Sequence, residues 1–120
     1  MTNTYFRWLS PETLKYGKFS PKTDVWSFGI TMWEIYSGGQ EPYGMVQDNR
    51  EVRRGVIEQR LKVSIPQDMP AMMQPLMLNC LAYNPDSRPT FHDLNMQLSS
   101  FKVTPANATF SGKLKEFLHL

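Results

Sequence analysis

SPKTDVWSFGITMWEI, residues 20–35, is the stretch on which the fold of this chain turns. Ser20 has the side chain of an N-cap, and Pro21 suits the first helical position, where a missing N–H costs nothing. Behind them Val25, Trp26, Phe28, Gly29, Ile30, Met32, Trp33 and Ile35 leave almost no polar face. A helix apolar nearly all round belongs in a protein interior, because a surface helix keeps one charged side. Ser37-Gly38-Gly39 ends it, since glycine adopts the left-handed conformation of helix C-termini. The spacing predicts a buried central helix over 21–37 with one acid, Asp24, near its N-terminus.

Composition bounds the rest. With 120 residues the chain holds one domain, and 41% hydrophobic with 20% charged residues is an ordinary globular balance. A net charge of +2 gives no reason to expect a nucleic-acid partner. No apolar run reaches the roughly 18 residues of a membrane span. The start MTNTYFRW has no leader pattern, and the single Cys80 excludes an internal disulfide. Together they predict a reducing, cytoplasmic setting. His92 and His119 lack ligand spacing, so no metal site is expected.

Around the central helix the pattern predicts three more helices. Over 48–59, Val52, Val56 and Ile57 form the inner side, and Arg50, Arg53 and Arg54 a solvated face diluted by Glu51 and Glu58. Over 70–81, Met72, Met73, Leu76, Met77 and Cys80 recur at helical spacing as core filler, but Pro75 demands a kink or an irregular first turn. Over 90–101, Thr90 and Asp93 have capping-box spacing, and Phe91, Leu94, Leu98 and Phe101 form a buried stripe. Pro11-Glu12-Thr13-Leu14 begins a short helix that Leu14 and Tyr16 would anchor. Before it, Phe6, Trp8 and Leu9 suit a hydrophobic strand end on local grounds. Residues 60–69 are extended, and 102–120 are a loose tail closing on an amphipathic turn with Leu114, Phe117 and Leu118.

Three segments stand in order: Arg7-Trp8-Leu9-Ser10-Pro11-Glu12, Asp24-Val25-Trp26-Ser27-Phe28-Gly29 and Arg88-Pro89-Thr90-Phe91. Together they resemble the lower C-terminal lobe of a protein kinase, over roughly residues 5–101. The wording is similar to tyrosine kinases, and GGQEPYGM with CLAYNPDSRPTF looks like the Fes/Fer-like cytoplasmic members. The resemblance implies an all-α C-lobe subdomain over 1–101 and a tail over 102–120.

Residue by residue, the resemblance implies that Tyr5, Phe6, Arg7, Trp8 and Leu9 form the loop that docks the substrate beside its tyrosine. It implies a structural clamp between Glu12 and Arg88, and a central-helix support for the catalytic loop from Asp24 and Trp26. Three positions depart from the pattern: Tyr5 replaces the usual proline, Leu81 the usual tryptophan, and Pro75 interrupts a helix that is normally regular. The family transfers the ATP γ-phosphate to protein tyrosine, with ATP and Mg²⁺ as cofactors. These 120 residues contain no phosphate-covering glycine loop, no Val-Ala-x-Lys, no His-Arg-Asp and no Asp-Phe-Gly. No catalytic, ATP-binding or metal-binding residue is therefore assigned.

Two functions follow from the resemblance. The chain is the substrate-side piece of a tyrosine kinase, inactive by itself, or a non-catalytic lobe that binds kinases or their substrates. The expected partners are protein tyrosine substrates or another kinase lobe. Incomplete cover of Val25, Trp26, Phe28, Ile30, Trp33 and Ile35 further predicts an exposed apolar patch. That patch would favour self-association or a chaperone.

Overall fold

A computed structural model describes residues 5–101. The described residues form α1 (Pro11–Tyr16), α2 (Pro21–Tyr36), α3 (Asn49–Ile57), α4 (Gln74–Cys80) and α5 (Phe91–Ser100), with short 3-10 turns and no strand among them. The tail over 102–120, with its expected amphipathic turn, lies outside the described residues.

The central helix starts and stops for the reasons its sequence carries. The Ser20 side chain accepts the Lys22 N–H at 3.2 Å, and the Thr23 hydroxyl accepts the Ser20 N–H at 3.2 Å. At the far end the Ser37 N–H returns to Trp33 O and the Gly39 N–H to Glu34 O, both at 2.9 Å. Gly38 and Gly39 have φ of 78° and 81°, which side chains would strain.

α2 is apolar all round because it separates two cores. Val25, Met32, Ile35 and Tyr36 pack with Met69, Met73, Leu76, Met77, Cys80 and Leu94 on one side. Trp26 and Ile30 pack with Leu14, Tyr43, Val52 and Val56 on the other. Burying each large side chain contributes about 1.5–3 kcal/mol, and α2 supplies such side chains to both cores. α2 meets α4 most extensively, and Gly29 makes that approach possible. A β-carbon at Gly29 would stand 2.8 Å from Cys80 Cβ and 2.9 Å from Leu81 Cδ2.

The expected apolar patch shrinks accordingly. Val25, Trp26, Ile30 and Ile35 are buried, and only Phe28 and Trp33 of the six are partly exposed. α3 and α4 close over opposite sides of α2, a cover that local sequence does not reveal.

Local readings change at the 5–9 segment and at three side chains, and Pro75 is decided between its two options. The 5–9 segment is a 3-10 turn at Tyr5–Trp8, not a strand end, as no strand lies beside it among the described residues. Pro75 sits in the first turn of α4, after a 3-10 turn at Ala71–Met73, so the helix begins irregularly and is not kinked. Tyr16 is 63% exposed, Met72 38% and Phe91 45%, so none is core. Phe91 instead sets its ring edge against Phe28, with centroids 6.2 Å apart.

Candidate functional site

Among the described residues Arg88 has the most completely coordinated side chain. Its Nη1 and Nη2 donate to the two Glu12 carboxylate oxygens at 2.7 and 2.9 Å. The remaining N–H groups donate to the carbonyls of Ala82, Lys22 and Tyr83 at 2.7, 3.0 and 3.1 Å. All five donors of the guanidinium are thus used, as a buried cation requires. Its plane lies over the Trp26 ring, 5.1 Å from the centroid.

Glu12 accepts a further bond from the Thr23 hydroxyl at 3.2 Å. Burial pushes its carboxyl up, but the hydrogen bonds and charge of Arg88 outweigh that and hold it below the usual glutamate range. Lys22 completes the knot by donating to Arg88 O at 2.6 Å. The start of α1, the start of α2 and the turn before α5 are therefore fastened at one point.

The 5–9 turn is fixed from below. Ser27 of α2 donates to Trp8 O at 2.8 Å, and two turns further along the same face Glu34 accepts the Trp8 indole N–H at 3.0 Å. Arg7 is turned inward and is 3% exposed. Its guanidinium donates to the carbonyls of Pro42, Tyr43 and Val46 and to Asn49 Oδ1, all within 3.0 Å. Its Nε stands 3.5 Å from Glu41 Oε1 without a hydrogen bond. Tyr5 is 65% exposed, and Phe6, Trp8 and Leu9 are half-buried. The turn thus offers an aromatic surface on a backbone anchored through Arg7 to the 41–49 loop.

A family model for protein tyrosine and serine/threonine kinases matches residues 1–98. The chain belongs to that kinase family. It is 42% identical over 97 residues to tyrosine-protein kinase Fer of Rattus norvegicus, covering 80% of this chain and 11% of that protein. It is 39% identical over 99 residues to tyrosine-protein kinase HTK16 of Hydra vulgaris, covering 82% and 12%. Ephrin type-A receptor 1 of Homo sapiens is 41% identical over 99 residues, covering 82% and 10%. The chain spans about a tenth of the length of each relative, and its all-helical residues are part of a kinase C-lobe.

Within this kinase segment the structure brings Glu12, Arg88 and Trp26 into one cluster, and Tyr5 to Leu9 into one turn. Asp24 stands apart: it is exposed in the first turn of α2, and among the described residues its carboxylate has no hydrogen-bond or ion-pair partner. Lys22, Glu34 and the inward role of Arg7 escape a reading of the sequence. Their partners are backbone carbonyls or lie in distant loops, which leave no periodic trace. Among the described residues no three acidic, histidine or cysteine side chains stand close enough to hold a metal ion. No described helix is long and apolar enough to cross a membrane.

Proposed function

We propose that this segment is the substrate-side floor of a cytoplasmic protein-tyrosine kinase, presenting Tyr5–Leu9 to the polypeptide that carries the target tyrosine. The anchoring of that turn supports the reading: Ser27 and Glu34 hold Trp8, and Arg7 ties the backbone to the 41–49 loop. Glu12 and Arg88 act as the clamp that keeps this floor joined to α2 and α5. Asp24, exposed and unpaired among the described residues, serves as an acceptor for backbone N–H groups of a catalytic loop. Trp26 supports from within, beneath Arg88.

ATP and Mg²⁺ belong to the complete domain of the family, and these 120 residues alone transfer no phosphate. The test is a titration of the chain with a tyrosine peptide bearing an apolar residue after the tyrosine, followed at the Trp8 indole. Saturable perturbation of Trp8, lost in Arg7→Ala, is expected. Perturbation elsewhere, or phosphotyrosine formed by the chain alone with ATP-Mg²⁺, overturns the reading.

A second reading is a non-catalytic lobe that binds kinases or their substrates. The closure of Val25, Ile30 and Met32, none of them exposed, favours it over a fragment that must self-associate or occupy a chaperone. A monodisperse monomer that melts cooperatively supports this module; dye-binding oligomers count against it.

A further inference from the structure

Five tyrosines stand in this chain, and four of them are engaged. Tyr36 and Tyr43 are buried, and the Tyr83 hydroxyl donates to Ile57 O at 2.6 Å. Tyr5 is exposed but has a partner of its own. Tyr16 differs, because its ring is exposed and its hydroxyl makes no hydrogen bond among the described residues. It is the last residue of α1, where Gly17 with φ of 70° turns the chain away. Residues 15–20 are all exposed, and 17–20 are neither helix nor strand. Beyond the ladder of α1, two bonds hold residues 16–19 among the described residues. The Gly17 N–H donates to Thr13 O at 2.8 Å, and the Thr13 hydroxyl to Lys18 O at 2.5 Å. Helix ends with so few ties open locally at little cost, and opening here frees Tyr16 in an extended segment.

The charge around this phenol is one-sided. Lys15 Nζ and Lys18 Nζ stand 5.2 and 5.6 Å from the Tyr16 ring centroid. Neither has an ion-pair partner among the described residues. Glu12 lines the cleft beside Tyr16 with Pro11, Tyr83 and Pro85, but Arg88 covers both of its oxygens. Two ammonium groups over one exposed ring gain little from it and repel each other. A dianion on the phenol would satisfy both.

We propose that Tyr16 is a phosphate-acceptor site, modified by a tyrosine kinase, and that Lys15 and Lys18 hold the phosphate once it is attached. The Tyr16 phenol oxygen attacks the γ-phosphorus of ATP, and the bond from that phosphorus to the bridging oxygen breaks. ADP leaves, and the phenol proton passes to the base of the acting kinase. Here the chain is the acceptor, and the Tyr5–Trp8 turn takes no part. The two lysines then exchange a ring contact for charge-assisted hydrogen bonds to the phosphate oxygens.

The experiment treats the full 120-residue chain with the complete catalytic domain of the 42% identical tyrosine kinase relative and ATP-Mg²⁺. Phosphate is located by peptide mass spectrometry over time. Most of it should appear on Tyr16, with Tyr83 up to about tenfold slower, because its hydroxyl must first leave Ile57 O. Tyr16→Phe, a change at an exposed position, should remove most of the incorporation without altering the melting curve. Phosphorus-31 resonance of the modified chain at low ionic strength tests the lysines. The second ionisation of the phosphate should lie below the usual value of about 6, and return to it in Lys15→Ala with Lys18→Ala. Phosphate placed chiefly on Tyr5 or Tyr83 would overturn the proposal, as would none on the chain while a tyrosine peptide is fully converted. Labelling of Tyr36 and Tyr43 as fast as Tyr16 would overturn it too, by showing that exposure in the fold selects nothing. An ordinary phosphate titration in both chains would overturn the role of the two lysines.

Discussion

The Trp8 indole N–H and the Glu34 carboxylate meet at 3.0 Å, joining the Tyr5–Trp8 turn to the second half of α2. Glu34 is 9% exposed, and burial pushes its carboxyl above the usual glutamate range, with the Trp8 bond pulling it only partly back. The position of the turn thus rests on an acid that is held at a cost when ionised.

That cost has a definite sign. A carboxyl with a raised folded-state pKa binds its proton more readily folded than unfolded. Its ionisation therefore removes stability as pH rises from the ordinary glutamate range through the raised value. Glu34→Gln keeps an oxygen acceptor for Trp8 and cannot ionise. Urea unfolding across that window should show the parent losing stability relative to the variant, and the variant equal or better at neutral pH. A variant that is markedly less stable at pH 7 would show that the charge itself holds Trp8.

The clamp has the opposite sign. The Glu12 carboxyl is held below its usual range, so its contribution is present above the unfolded value and is lost as pH falls through the folded one. Arg88→Ala leaves that carboxylate and the three carbonyls of Ala82, Lys22 and Tyr83 without the guanidinium. The expected loss is about 3–5 kcal/mol at neutral pH, much of the stability of a small domain. Arg88→Lys should recover little, because an ammonium cannot reproduce the paired bonds. A denaturant-measured loss below about 1 kcal/mol would show that the pair is dispensable.

How much of this was legible follows from where each signal lives. Helix starts were, because Ser20 with Pro21 and Thr90 with Asp93 are local chemistry within four residues. The all-round apolar face of 20–35 announced a buried helix, though not that it would lie between two cores or which neighbours would cover it. Glu12 and Arg88, 76 residues apart, could be paired only through motif resemblance. The edge-on contact of Phe91 depends on Phe28 standing across from it, and the inward turn of Arg7 on four acceptors in the 42–49 segment. Neither relation has a sequence period. Pro75 left two options open, and the 3-10 turn before α4 decides for the irregular start.

Gly29 gives a test of the α2–α4 contact. Glycine inside a helix costs about 1 kcal/mol relative to alanine, so Gly29→Ala would stabilise an exposed helix. Here the new methyl would meet Cys80 Cβ at 2.8 Å, an atom fixed to the α4 backbone. Overpacking of this kind costs about 1–3 kcal/mol, so net destabilisation is expected in thermal or urea unfolding. A more stable variant would mean that the two helices are not in this close approach.

Cys80 reports on the same contact from the other side. Its side chain has no exposure, and burial pushes the thiol up to about 12, against a smaller opposing pull from Arg88. A thiolate is the reactive form, so both access and ionisation protect this residue in the folded chain. At pH 8 a disulfide reagent should label it only through opening of the α2–α4 core. The labelling rate should then rise with urea in step with unfolding, and rise likewise in Gly29→Ala without denaturant. Rapid labelling of the parent chain under native conditions, at the rate of a free thiol, would show that the core over Cys80 is open. It would also remove the basis for reading this lobe segment as a closed unit.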